Sequence, residues 1–534
     1  MNTYEHRPLI GRSRRIFLGF LCVFIGVHLW LISSCSPKPT NLRSLAPADT
    51  LVYLETNDLA AALQPIVDNK AFTDVAKSKP DFSALRGVQL AVVVTGFETK
   101  EEKLTEENSV GRVQPHFAAI ADTHAWSWQA RSFAENQLGE FVNNVYGGGV
   151  SLDTAPKNGG TYYTWTAEDG RKAYAFVDGS LIFFGNDEGS IDRCVAVKRG
   201  QADSILKNPK LPAADPAALA QGYISTDGVA QIANIVGLAM ASKTDEEEEV
   251  KSFIAGVLPQ ILRSSVSDVS WTATTTEQGI EDKYLISTAP DVSNVLSETM
   301  APGENPDTSL ADLLPSDPSS VTLYNFKDPQ VAWRSVLLLL QKQADPTAGK
   351  LLAGFSSSLF EPYGVRDPEM FLHSVGPTIL TMREDETGEK VLVVSPIKDQ
   401  SGVERSLSPE TIAETKGLAS QIPEGNMYAY AGQKVCVGFR SLVQSCLING
   451  KGSQNATGVK KLLTDVKTSI VTIGTDKSTG ADVASALDLK KSEDASSISH
   501  YRTETRFTKN GIERKTTSDF GLIGSIIAQL APED

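Results

Sequence analysis

"TATTTEQGIEDK" (272–283) and "TETRFTKNGIERK" (503–515) are one design written twice. Each is a Thr-rich run, a turn at glycine, and Gly-Ile-Glu-x-Lys opening a return strand. β-Branched threonine favours extended backbone, and a Gly-containing turn between two such runs predicts a hairpin. A hairpin repeated at long range in a 534-residue chain raises the question of an internal duplication, which changes every later inference about the fold.

Two further landmarks recur in the same order. "LAPADTLVYLETNDLAAAL" from Leu45 and "LLPSDPSSVTLYNFKDPQVAW" from Leu313 each read as proline, aspartate, an alternating strand with a central tyrosine, then aspartate and a helix. Asp58 and Asp328 are the natural N-caps of those helices, because a short carboxylate can accept from the unpaired amides of the first turn. "YAFVDGSLIFFGNDEGSIDRCV" (174–195) matches "YAYAGQKVCVGFRSLVQSCL" (428–447): strand, tight turn, strand ending at Gly185 or Gly438, then a helix carrying Cys194 or Cys446. Both stretches close on a short apolar helix, "DVSNVLSETM" and "FGLIGSIIAQL". Three landmarks in register predict two tandem α+β copies, 45–300 and 313–534, joined by a Pro/Gly/Asp-rich linker at 301–312. Strands at 89–96, 116–122 and 390–397 alternate with helices at 129–145, 228–242 and 458–469. Hairpins join many of these strands, so the expected sheets are mixed or antiparallel with packed helices.

The L-x-P-x-D-T-x-x-Y opening and the "VDGSLIFFGN" hairpin (177–186) resemble a family of large exported bacterial proteins known only as a domain of unknown function. The resemblance spans most of 45–534 and rests on structural motifs. It implies no activity and carries over no functional residue.

The N-terminus addresses location. Residues 1–15 are polar and net positive, residues 16–32 are apolar except for His28, and Ile32-Ser33-Ser34-Cys35 follows. A basic start, an apolar middle and small residues at the end make an export signal. The apolar run reaches about 26 Å as a helix, slightly short of a bilayer core. An aliphatic residue and two small residues before Cys35 read as a bacterial lipoprotein signal, cleaved between Ser34 and Cys35, with lipid on the Cys35 thiol. "SPKPTNLRS" then serves as a tether over 35–44. An uncleaved anchor and ordinary secretion are the alternatives. All three put the body outside the cytoplasm, and the lipid would hold it at the outer membrane or the periplasmic face of the inner membrane.

The chain carries a formal charge of −15. Residues 1–34 hold four basic residues and one acidic, leaving 46 against 64, or −18, for the rest. Such a surface repels phosphate backbones, which disfavours nucleic acid. The acidic run 245–249 reads as a solvated surface.

No catalytic constellation emerges, and no metal or cofactor motif. His116 and His124 lack a zinc-type companion pattern, and "YGGGV" (146–150) reads as a turn. Trp126 and Trp128 are expected to wedge a helix against a sheet. In an oxidising compartment Cys436 and Cys446 are a candidate disulfide, against two buried thiols, with Cys194 a core thiol. The leading expectation is a non-enzymatic binding or scaffold lipoprotein of the envelope with a protein partner. An extracytoplasmic hydrolase is the alternative, and so is a lipid carrier, which requires a continuous apolar cavity.

Overall fold

Aspartate starts both opening helices. Asp58 accepts from the Ala61 amide at 3.1 Å, and Asp328 accepts from Gln330 and Val331 at 3.0 and 3.1 Å. The structure, a computed structural model, describes the chain from residue 40, apart from 104–108, 244–247, 316–317, 344–356, 385–389, 415–423, 451–462, 464–465, 488, 490–497, 530 and 532–534. The expected leader, with Ser34 and Cys35, and most of the expected helix 458–469 therefore lie outside the described residues.

The first stretch runs β1 (Val52–Thr56), α1 (Leu59–Asp68), β2 (Gln89–Lys103), β3 (Ser109–Asp122), α2 (Ser127–Phe133) and α3 (Gly139–Tyr146). It continues through β4 (Ser151–Lys157), β5 (Gly160–Thr166), β6 (Lys172–Asp178), β7 (Leu181–Gly185), α4 (Glu188–Lys198) and β8 (Ala220–Ile224). A helical hairpin, α5 (Thr226–Lys243) and α6 (Glu248–Ser265), leads to β9 (Val266–Thr276), β10 (Gly279–Thr288) and α7 (Pro290–Thr299).

The second stretch has β11 (Ser320–Asn325), α8 (Pro329–Gln343), α9 (Pro368–Ser374), β12 (Thr378–Arg383), β13 (Val391–Pro396) and α10 (Gln400–Ser406). Then come β14 (Ile412–Ala413), β15 (Asn426–Ala431), β16 (Lys434–Phe439), α11 (Arg440–Asn449) and β17 (Ile470–Asp476). It ends with α12 (Thr479–Ala486), β18 (Ser499–Thr508), β19 (Gly511–Ser518) and α13 (Gly521–Ala528).

All these strands belong to one open 19-stranded sheet, antiparallel except for the two-residue pairing of β14 with β15. The class is mixed α+β. The sheet joins its halves where β10 pairs with β19. Outward from that seam the order is β9, β8, β1, β2, β3, β7, β6 on one side. On the other it is β18, β17, β11, β12, β13, β16, β15. Position by position the chain places are the same, with β5 and β4 added beyond β6 and the two-residue β14 beyond β15.

At the seam Lys283 faces Lys515, the two lysines of the repeated Gly-Ile-Glu-x-Lys, so equivalent residues meet on a local twofold. Two cations opposed across strands repel. Glu281 offsets this, lying 3.0 Å from Lys283 and 3.4 Å from Lys515. Burial pushes the Glu281 carboxyl up, but the two lysines outweigh it and hold it below the usual carboxylate range.

The helices following the seam strands cross over. Ile523 and Ile527 of α13 pack into the core that contains Leu59, Leu63 and Ile66 of α1. Val292 and Leu296 of α7 pack with Ala332 and Val336 of α8. Asp282 ties one crossover, accepting from Trp271 Nε1 and from the Leu522 amide, both at 2.8 Å. Burial raises the Asp282 carboxyl above its ordinary value. Such a group opposes folding in its charged form, and that penalty fades as pH falls through the raised pKa toward 3.8. Asp282→Asn leaves one donor short of an acceptor, at a cost of about 1–3 kcal/mol. Denaturation of both chains across acid pH should show the loss growing as pH falls, because only the parent is relieved of a buried charge. A loss that is constant with pH would contradict the assignment.

Two expected boundaries move. Leu42, Arg43 and Leu45 are buried, so the tether cannot run to residue 44; the fold already holds the chain at Thr40. A 3₁₀ turn at Thr308–Leu313 buries Leu310 and Ala311, so the end of the 301–312 linker is already core. The tyrosines of the opening strands are also not equivalents. Tyr53 faces the side covered by α4, whereas Tyr324 faces the opposite side with α8. Since strand faces alternate, an odd offset in matching the two stretches reverses the side.

Candidate functional site

The side of the sheet carrying α1 is a single packed cluster in the first stretch. Its counterpart in the second stretch is split between two clusters, one around α9 and α10 and one around α7 and α8. Between them lies a cavity of about 440 Å³, within the roughly 300–1,000 Å³ typical of small-molecule sites.

Alternation along the strands builds its floor. Tyr324 of β11 lies beside Ile379 of β12 and Ile470 of β17, and Thr381 of β12 lies beside Val393 of β13. Trp333 of α8 and Phe360 form one wall as an edge-to-face pair with centroids 5.1 Å apart. Phe371 of α9 and Met300 add to the apolar lining.

Polar groups gather at one end. Tyr324, Tyr363, Thr381 and Arg383 come together there. Burial pushes both phenols up, with the Arg383 charge opposing, so both remain neutral donors. The Arg383 guanidinium is exposed, at the end of the inward-facing series Ile379, Thr381, Arg383. In the first stretch the paired positions equivalent to Thr322–Thr381 and Ser320–Arg383 are Leu54–Val92 and Val52–Val94. Apolar residues there close the core; polar ones here open it. The described lining contains no carboxylate, histidine or cysteine. Its chemistry is that of an apolar slot with a cationic rim.

No family model, no curated protein and no solved structure matches the chain.

The residues singled out from the sequence lie elsewhere. Cys436 and Cys446 form a disulfide bridging β16 and α11 on the other side of the sheet. At the equivalent place in the first stretch Phe183 and the free thiol Cys194 share a core, where burial raises the thiol to about 12. His116 lies 3.3 Å from Glu98, and His124 lies 3.4 Å from Asp122. Among the described residues no group of three His, Cys, Asp or Glu is arranged to hold a metal ion. No described helix is long and apolar enough to cross a membrane. Trp126 and Trp128 do not act as wedges: they are 69% and 62% exposed. Ala130, Ala134 and Leu138 take the inward face, which turns both indoles outward.

The sequence reading missed every residue of the cavity. The available signal was Thr381 and Arg383 following Ile379 on alternate, inward-facing strand positions, where an uninterrupted apolar series would be expected.

Proposed function

We propose that this chain is an extracytoplasmic bacterial lipoprotein, anchored through Cys35, that binds a single-chain amphipathic carboxylate in the cavity between α8, α9 and the sheet. It comprises two tandem related domains. The first keeps a closed core and the second has opened the corresponding space to a ligand. The repeated strand order and the Lys283–Lys515 seam support the duplication. The observation that carries the binding reading is the pairing of an apolar 440 Å³ cavity with Arg383 at its polar end. An acyl chain gains from leaving water, and a carboxylate gains a charge-assisted hydrogen bond at the rim.

Native mass spectrometry of the full-length protein with hexadecanoate, and with hexadecylamine as the charge-inverted control, tests this. One equivalent of the carboxylate should be retained and the amine released. Arg383→Gln should weaken retention about 5-fold, close to 1 kcal/mol at a solvent-exposed cation. Val393→Trp should abolish it by filling the cavity while leaving the melting transition in place. Equal retention of both amphiphiles, or retention by Val393→Trp, would rule the site out.

A further inference from the structure

We infer that Trp126 and Trp128 form a membrane-docking edge that seats the protein on the bilayer beside its own anchor. The inference rests on the proposed lipid at Cys35. The two indoles are among the most exposed large apolar side chains described, and they stand two residues apart at the start of α2. Trp126 is the N-cap position, and its amide donates to Gln129 Oε1 at 3.0 Å, so the backbone under the pair is fixed. Neither ring is needed for the core, which Ala130 and Ala134 complete. An amphipathic indole held outside a core belongs at a boundary between apolar and wet environments, and lipid headgroups provide one.

The point where the chain enters the fold makes that boundary a bilayer. Thr40 is clamped by Gln89 through two hydrogen bonds, amide to Oε1 at 2.7 Å and Nε2 to carbonyl at 2.9 Å. Its hydroxyl donates to Asp122, the last residue of β3. The same carboxylate accepts from the His124 amide at 3.0 Å and turns the chain toward Trp126. His124 has φ 51°, in the left-handed region, which sharpens the turn. Cys35 is five residues from Thr40, a reach of at most about 18 Å, and Asp122 is four from Trp126, at most about 14 Å. A lipid on Cys35 therefore keeps this end of the sheet close to the headgroups. Arg131, exposed and 3.2 Å from Ser127 Oγ, sets a positive charge beside the pair that suits anionic lipid. In a body with a net charge of −18, a short tether without such an edge would leave the protein repelled by an anionic surface.

The test uses full-length protein in vesicles of phosphatidylethanolamine and phosphatidylglycerol whose acyl chains carry bromine near the headgroup. Bromine should quench part of the tryptophan emission, and the quenched fraction should fall at least about twofold in Trp126→Phe/Trp128→Phe, because interfacial indoles lie at that depth. Equal quenching in the two chains, or none in either, would overturn the docking edge. Fatty-acid labelling of the parent and Cys35→Ala chains, run in parallel, judges the anchor separately. Label on both sinks the lipoprotein reading, while the bromine result still decides whether these indoles meet lipid.

Discussion

Glu55→Ala is expected to lower the free energy of unfolding by about 3–5 kcal/mol, the range for removing one partner of a buried ion pair. Glu55 and Arg43 have side chains only 7% and 6% exposed and lie 2.6 Å apart. Tyr53 donates to the other carboxylate oxygen at 2.9 Å, and Arg43 also reaches the Pro212 carbonyl and Gln221. Removing the carboxylate leaves a guanidinium without its counter-charge and a phenol without its acceptor. The effect should be read in denaturant midpoints of the full-length protein. Arg43→Met/Glu55→Leu should recover much of the loss, since replacing both charges removes the desolvation cost of each. A single-variant loss below about 1 kcal/mol, the level of a solvent-exposed pair, would show that the pair is not buried.

Gly438→Ala should be nearly as damaging. Gly438 has φ 145°, and a Cβ there would stand 2.2 Å from the Val391 carbonyl oxygen and 2.9 Å from the Leu392 Cα. The neighbour is backbone of β13, paired on one side of β16, while Met427 of β15 pairs on the other, so neither strand can yield alone. Overpacking and backbone strain together are worth about 2–5 kcal/mol. Gly185 has the same role on β7, where a Cβ would meet the Phe117 carbonyl oxygen at 2.2 Å. Gly432→Ala is the control for a glycine in open space: its φ of 67° carries the strain but no atom lies within 4 Å. If both variants melt alike, the close approach at Gly438 is not the cause.

The repeated glycines show what kind of information a single sequence exposes. A strand that ends in glycine before a Cys-bearing helix is a short-window pattern, and so are the Asp caps, the Thr-rich hairpins and the disulfide candidates Cys436 and Cys446. Each depends on residues within about twenty positions of one another, where turn chemistry and period-two alternation act directly. The opening tyrosines mark where that method slips. Tyr53 and Tyr324 look equivalent as letters, yet strand pairing puts Val321 in the place of Tyr53. The sign of a face depends on a register that no local window contains.

Trp126 and Trp128 failed as wedges for a related reason. An aromatic beside a strand end is a packing residue only if the helix phase turns it inward, and here alanines occupy that phase. The cavity was hidden more deeply, because a cavity is a property of what does not meet. Trp333, Tyr363, Thr381 and Ile470 come from four separate segments, and nothing in any one of them records the gap between two core clusters.

From its letters alone this chain discloses an α+β class, two matching runs of strands and helices, and helix caps, since those follow from local periodicity and backbone preference. Tertiary structure alone decides that both runs share one sheet, that Lys283 meets Lys515 at its seam, and that α7 and α13 cross to the opposite half. The seam and the α13 contact join residues more than two hundred positions apart, and there, as where Val292 meets Ala332 across the linker, burial and strand hydrogen bonding, rather than local propensity, select the partner.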